Sequence, residues 1–149
     1  MVSQAIAAYA HYLSIFATLG LLVAEFVLFR SQMSAVVVRL LPKLGLGYLI
    51  AAIAIVATGL LRVFFFAKGA EYYAGNTIFW IKMAMFVAVG LLSLPPTFAF
   101  SANRKQAAGG ALDLDPAHYR RVRRFIHAEL GIFALIPLAA TLMARGIDI

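Results

Sequence analysis

The chain has 149 residues, of which 64% are hydrophobic and only 13% charged, with a net charge of +7 and a mean hydropathy of +0.93. Soluble domains carry about 25% charged residues, so this composition excludes an ordinary soluble fold. The absence of cysteine excludes disulfides, iron–sulfur clusters and thiolate ligation of haem.

Four apolar runs take up most of the length, at roughly 5–29, 44–66, 78–100 and 122–144. At ~1.5 Å of rise per residue each can cross a hydrocarbon core of ~30 Å. The expectation is therefore an all-α four-helix transmembrane bundle, forming one transmembrane domain over 1–149. The first run has no basic residue ahead of it, since the first is Arg30. That distinguishes it from a cleaved signal peptide, which opens on a basic segment.

Between the first two runs lie Arg30, Arg39 and Lys43, and Leu41-Pro42-Lys43 marks the entry to the second. The second and third runs are joined by an aromatic segment with Tyr72, Tyr73, Phe79 and Trp80, as expected of an interfacial belt. Pro95-Pro96 bends or ends the third run. A loop of about 101–121 follows, holding Gly109-Gly110 and the basic residues Arg104, Lys105, Arg120 and Arg121. Within it Asp115-Pro116 reads as an N-cap followed by proline at the first helical position, so a helix starts at Pro116 and runs into the fourth span.

Nine of the 13 Lys and Arg residues fall between runs one and two or between runs three and four, whereas only Lys68 and Arg145 fall on the other side. The positive-inside rule then places both termini outside, in the periplasm, and both basic loops in the cytoplasm of a bacterial inner membrane. The segment Arg120, Arg121, Arg123 and Arg124 reads as an anchor for anionic headgroups. No nucleic-acid partner is expected.

Ionisable residues inside such runs are costly and mark candidate sites. His11, Ser14, Thr18 and Glu25 share one face of the first helix, because steps of three, seven and fourteen return near the same angle. Tyr48, Thr58 and Arg62 share a face of the second with Gly59 beside them, and Lys82 and Ser93 share a face of the third. His127 and Glu129, two apart, point different ways.

Depth sorts these residues into two groups. His11, Arg62 and Lys82 lie toward the outer surface. A neutral imidazole in an apolar bundle ligates haem iron well, and two cations suit the propionates of a tetrapyrrole. His11 is thus the candidate metal ligand, with Arg62 and Lys82 as further cofactor contacts and haem b as the cofactor. The alternative is that His11 hydrogen-bonds a neighbouring helix while Arg62 and Lys82 reach to the headgroups. Glu25, Tyr48, Glu129 and His127 lie toward the inner surface and form a candidate proton or ion site. His11 and His127 are on the order of 20 Å apart in height by helical rise, which argues against both ligating one haem. A Glu-x-x-His pair of the di-iron type is absent, since His127 and Glu129 have the wrong spacing and order.

Three functions suit this pattern. They are a haem-b or tetrapyrrole-binding membrane redox protein, an accessory subunit or homo-oligomer packing through Gly20, Gly45, Gly47, Gly59 and Gly90, and a carrier coupled to a proton or ion through Glu25 and Glu129.

The chain resembles a bacterial family of four-helix membrane proteins known only as a domain of unknown function. The resemblance rests on Tyr9-Ala10-His11-Tyr12 with Glu25, on Thr58-Gly59-Leu60-Leu61-Arg62-Val63-Phe64, on Phe79-Trp80-Ile81-Lys82-Met83, and on Glu129-Leu130 through Ala144-Arg145-Gly146. It implies a membrane bundle and no particular activity. In layout the first three spans are also similar to the oxygen-independent membrane protoporphyrinogen oxidases of bacteria. His11 and Trp80-Ile81-Lys82 match that family's positions, where the resemblance implies a bound haem b and a required His and Lys. The chain departs from that family in having four spans, and in Ser93 and Pro95 at the end of the third.

Overall fold

The computed structural model describes residues 2–66, 71 and 74–146. Lys68, Tyr72 and Tyr73 of the expected outer loop lie outside the described residues. The elements run in the order α1 (Val2–Leu28), β1 (Gln32–Met33), α2 (Ala35–Leu61), a π-helical turn (Arg62–Phe66), α3 (Thr77–Gln106), β2 (Leu112–Asp113) and α4 (Pro116–Ala144). Among the described residues four helices are long and apolar enough to cross a membrane, so this is an all-α bundle and a multi-pass membrane protein in contact with the bilayer. Large apolar side chains such as Ile6, Phe16, Ile53, Val87 and Phe98 are left on its outer face, where lipid replaces water as the solvent.

The helices begin where side chains replace the missing turn. Ser34 accepts from the Val37 amide, Asn76 from that of Phe79, and Asp115 from those of Ala117 and His118. The Asp115-Pro116 start lies where the sequence places it. The second and third helices differ from the sequence expectation. α2 starts at Ala35 and carries Pro42 inside it, so Pro42 does not mark its entry. α3 continues through Pro95 and Pro96 to Gln106, so the prolines do not end it, and residues 101–106 of the expected loop are helical. Bundle neighbours and Ser/Thr side chains hold such helices together around the lost amides. Thr97 Oγ1 donates to the Ser93 carbonyl at 2.8 Å and Ser93 Oγ to that of Gly90 at 2.7 Å.

α1 pairs with α2 and α3 with α4, giving two antiparallel hairpins laid side by side. Both basic loops meet at one end, and the start of α1 and the end of α4 lie at the other. At the loop end β1 and β2 form a two-residue antiparallel ribbon, with Gln32 opposite Asp113 and Met33 opposite Leu112, extended by the Leu114 amide donating to Ser31 O at 2.8 Å. The turn into β2 needs left-handed backbone at Ala108 (φ 47°) and Gly109 (φ 89°), and Gly109 supplies the second without steric cost. The core sits against this ribbon. Phe29, Met33, Leu41, Phe100, Leu112, Leu114, Val122 and Ile126 are buried there together.

Arg123 joins the hairpins at this end. Its Nη1 donates to the carbonyls of Phe26 (3.3 Å) and Phe29 (3.1 Å), and its guanidinium lies over the Phe26 ring. The last carbonyls of α1 lack helical partners, so a residue on α4 caps α1. Arg123 therefore does not stand with Arg120, Arg121 and Arg124, which are exposed.

Candidate functional site

Two groups of ionisable side chains lie inside the bundle. Fourteen residues of α1 separate His11 from Glu25, about 21 Å at ~1.5 Å per residue.

Near the terminal end, His11 of α1 reaches α2. Its Nδ1 lies 2.9 Å from Thr58 Oγ1. The Thr58 hydroxyl, with a single hydrogen, also lies 2.6 Å from the Ala54 carbonyl and 3.2 Å from that of Ile55. With that hydrogen on a carbonyl, Thr58 accepts from His11, and the tautomer protonated at Nδ1 leaves Nε2 with its lone pair. Gly59 makes the approach feasible, because a Cβ there would stand 3.3 Å from His11 Cε1. Arg62 opens the π-helical turn that follows α2. π-turns are rare and recur at functional sites. Its guanidinium lies 5.5 Å from the centre of the Tyr12 ring, and Lys82 Nζ lies 5.3 Å from that of Phe79. Both cations are close enough to act electrostatically on His11. An apolar groove of about 360 Å³ runs beside them between α1 and α2, lined by Ser3, Ile6, Ala7, Ala10, Thr58 and Leu61. His11, Arg62 and Lys82 are thus brought together.

The second group lies toward the ribbon. Glu25 (4% exposed), Tyr48 (5%) and Glu129 (1%) come from α1, α2 and α4. Glu25 Oε1 and both carboxyl oxygens of Glu129 have no hydrogen-bond partner. Gly45 borders Glu25: a Cβ there would stand in ordinary contact, 3.7 Å from Glu25 Oε1, 3.8 Å from Phe100 Cδ2 and 3.9 Å from Thr97 Oγ1. The Tyr48 phenol is the polar neighbour of both carboxyls. It stands against Glu129 as a hydrogen-bonding neighbour, although neither Glu129 oxygen has a partner at full hydrogen-bond geometry.

His127 does not join them. It is exposed, its Nδ1 meets the Arg123 carbonyl at 2.8 Å, and its ring stands edge-on to Phe26 at 4.8 Å. Two residues along α4 turn it about 200° away from Glu129 at 3.6 residues per turn. Ser93 of α3 bonds its own helix, as above. Of the glycines expected at helix contacts, Gly45, Gly47 and Gly59 meet a neighbour, whereas Gly20 and Gly90 have nothing within 4 Å. The sequence places Thr58 on the inward face of α2 with Gly59 after it and marks Gly45 as a contact glycine, but not that Thr58 is the partner of His11 or that Gly45 borders Glu25. Among the described residues no group of three or more His, Cys, Asp or Glu side chains gathers as a metal cage would require.

The family comparison agrees with the fold. A family model described as "Predicted membrane protein (DUF2214)" matches residues 3–148, and the chain belongs to that family. No curated protein and no solved structure matches.

Proposed function

We propose that the chain is a membrane-embedded binding protein for a tetrapyrrole of the haem b class, held at the end of the bundle where His11 lies. The observation that carries the reading is the 2.9 Å contact of His11 Nδ1 with Thr58 Oγ1. Histidines that ligate metals donate their other ring N–H to a fixed acceptor, which sets the tautomer and the ring orientation. In the tautomer protonated at Nδ1, Thr58 is that acceptor and Nε2 is open to iron. The donor set fits the group: one imidazole nitrogen for iron, and in Arg62 and Lys82 two cations for carboxylates. The apolar groove along Ala7, Ala10 and Leu61 suits the ring edge. When bound, such a group would supply one-electron redox chemistry. The protein would contribute orientation through Thr58, charge through Arg62 and Lys82, and exclusion of water.

The same reading places the ribbon end in the cytoplasm and the chain in a bacterial inner membrane, since that end carries most of the basic residues. Arg120, Arg121 and Arg124 then face anionic headgroups.

An optical spectrum of the purified protein, air-oxidised and then dithionite-reduced, tests the reading. The expected result is a Soret band with b-type α and β bands on reduction, absent in His11→Ala. A colourless protein that also fails to take up added hemin would overturn it.

A further inference from the structure

The bundle holds a second set of charges that the tetrapyrrole reading does not use. Glu25 and Glu129 are almost wholly shielded from solvent, and three of their four oxygens have no hydrogen-bond partner. Buried carboxylates are ordinarily paired or hydrogen-bonded, because an isolated charge in a low-dielectric interior is strongly unfavourable. Glu129 lies close enough to Glu25 to act on it electrostatically.

The groups facing this pair come from all four helices. α2 contributes Tyr48, and Gly45 with no side chain. α3 contributes Thr97, whose hydrogen is used on Ser93 O, and the Phe100 ring. On α4 the neighbouring titratable residues are turned elsewhere, His127 to the surface and Arg123 to the carbonyls that end α1. Among the described residues no Lys, Arg or His neutralises either carboxyl. Four helices thus enclose two acids, a phenol and a hydroxyl oxygen, with no positive charge supplied by the protein.

We propose that Glu25, Glu129 and Tyr48 form a binding site for one small monovalent cation, either a proton or an alkali metal ion. The ligand class follows from charge and donor type. One positive charge relieves the repulsion between the acids, and the available donors are all oxygens, which suit hard cations. The Thr97 hydroxyl oxygen and Glu25 Oε1 both border Gly45. The site stands about 21 Å along α1 from His11 by helical rise and is independent of any tetrapyrrole.

Infrared spectroscopy of the full chain in lipid discs separates the two ions. A proton on the pair predicts the C=O stretch of a carboxylic acid, shifted in deuterium oxide and lost in Glu129→Gln or Glu25→Gln. An alkali ion predicts carboxylate stretches that shift on titration with NaCl or KCl, with a rise in melting temperature that both variants abolish. The proposal is overturned by a protein with neither the acid band nor a cation-dependent shift. It is equally overturned by signals that persist unchanged in both Gln variants. The wild-type isotope shift keeps the test valid if a variant fails to fold. None of these readouts depends on a Soret band, so the two proposals fail separately.

Discussion

The ribbon half and the terminal half of this bundle are built on different terms. Toward the ribbon, side chains from all four helices and both strands interlock, and Phe29 packs against Phe100 and Tyr119 with centroids 5.6 Å away in each case. Toward the termini the helices pack less closely, and α1 has no buried residue between positions 2 and 17. Charge follows packing. The tight half encloses carboxyls without partners, and the open half carries cations against aromatic faces beside a groove. Dense packing fixes a buried charge in place and makes its neutralisation a matter for a small ion. Loose packing leaves room for a large ligand.

The contrast can be broken at its strongest point first. Arg123→Ala removes two charge-assisted hydrogen bonds to the end of α1, each worth about 1.5–3 kcal/mol. It should lower stability by about 3 kcal/mol in a detergent melting experiment. A loss under about 1 kcal/mol would mean that water caps α1 equally well. At the open end, Thr58→Val should leave melting nearly unchanged yet weaken hemin binding by about 10–100-fold, as loss of an orienting partner does. Equal affinity in a hemin titration would detach Thr58 from the site.

Two glycines sharpen the comparison at smaller scale. Gly59→Ala sets a methyl 3.3 Å from His11 Cε1, so the ring must yield by a few tenths of an ångström. About 1 kcal/mol of hemin affinity should be lost by such overpacking. Gly45→Ala, with its nearest neighbour at 3.7 Å, fits without displacement. It should stabilise α2 by about 0.5–1 kcal/mol through helix propensity, and a fall in melting temperature would show that the space beside Glu25 is needed.

Much of this was legible in the residues. The four runs, the Asp115-Pro116 start and the single face of His11, Thr18 and Glu25 follow from hydropathy and a 3.6-residue period. So does the divergence of Glu129 from His127. Counting helical rise also separates the two charge groups. The helix ends were less legible. Residues 35–43 and 101–106 continue α2 and α3 beyond the apolar runs, because a helix end outside lipid is set by capping and neighbours, not by hydropathy. Pro42, Pro95 and Pro96 mislead for the same reason. The ribbon was invisible, since two-residue strands carry no period. Arg123 was read with its basic neighbours because contact with the far end of α1, 94 positions earlier in sequence at Phe29, leaves no local mark.

The ribbon also bears on how the protein is made. Met33 leaves the ribosome about 80 residues before its partner Leu112. At roughly 5–20 residues per second that delay is on the order of 4–16 s. Throughout it the first hairpin must reside in the bilayer with Glu25 lacking the wall that α4 provides, and the ends of the two hairpins cannot be tied until nearly the whole chain has been synthesised. Membrane insertion of this protein therefore includes a waiting stage, ended by the arrival of its last helix.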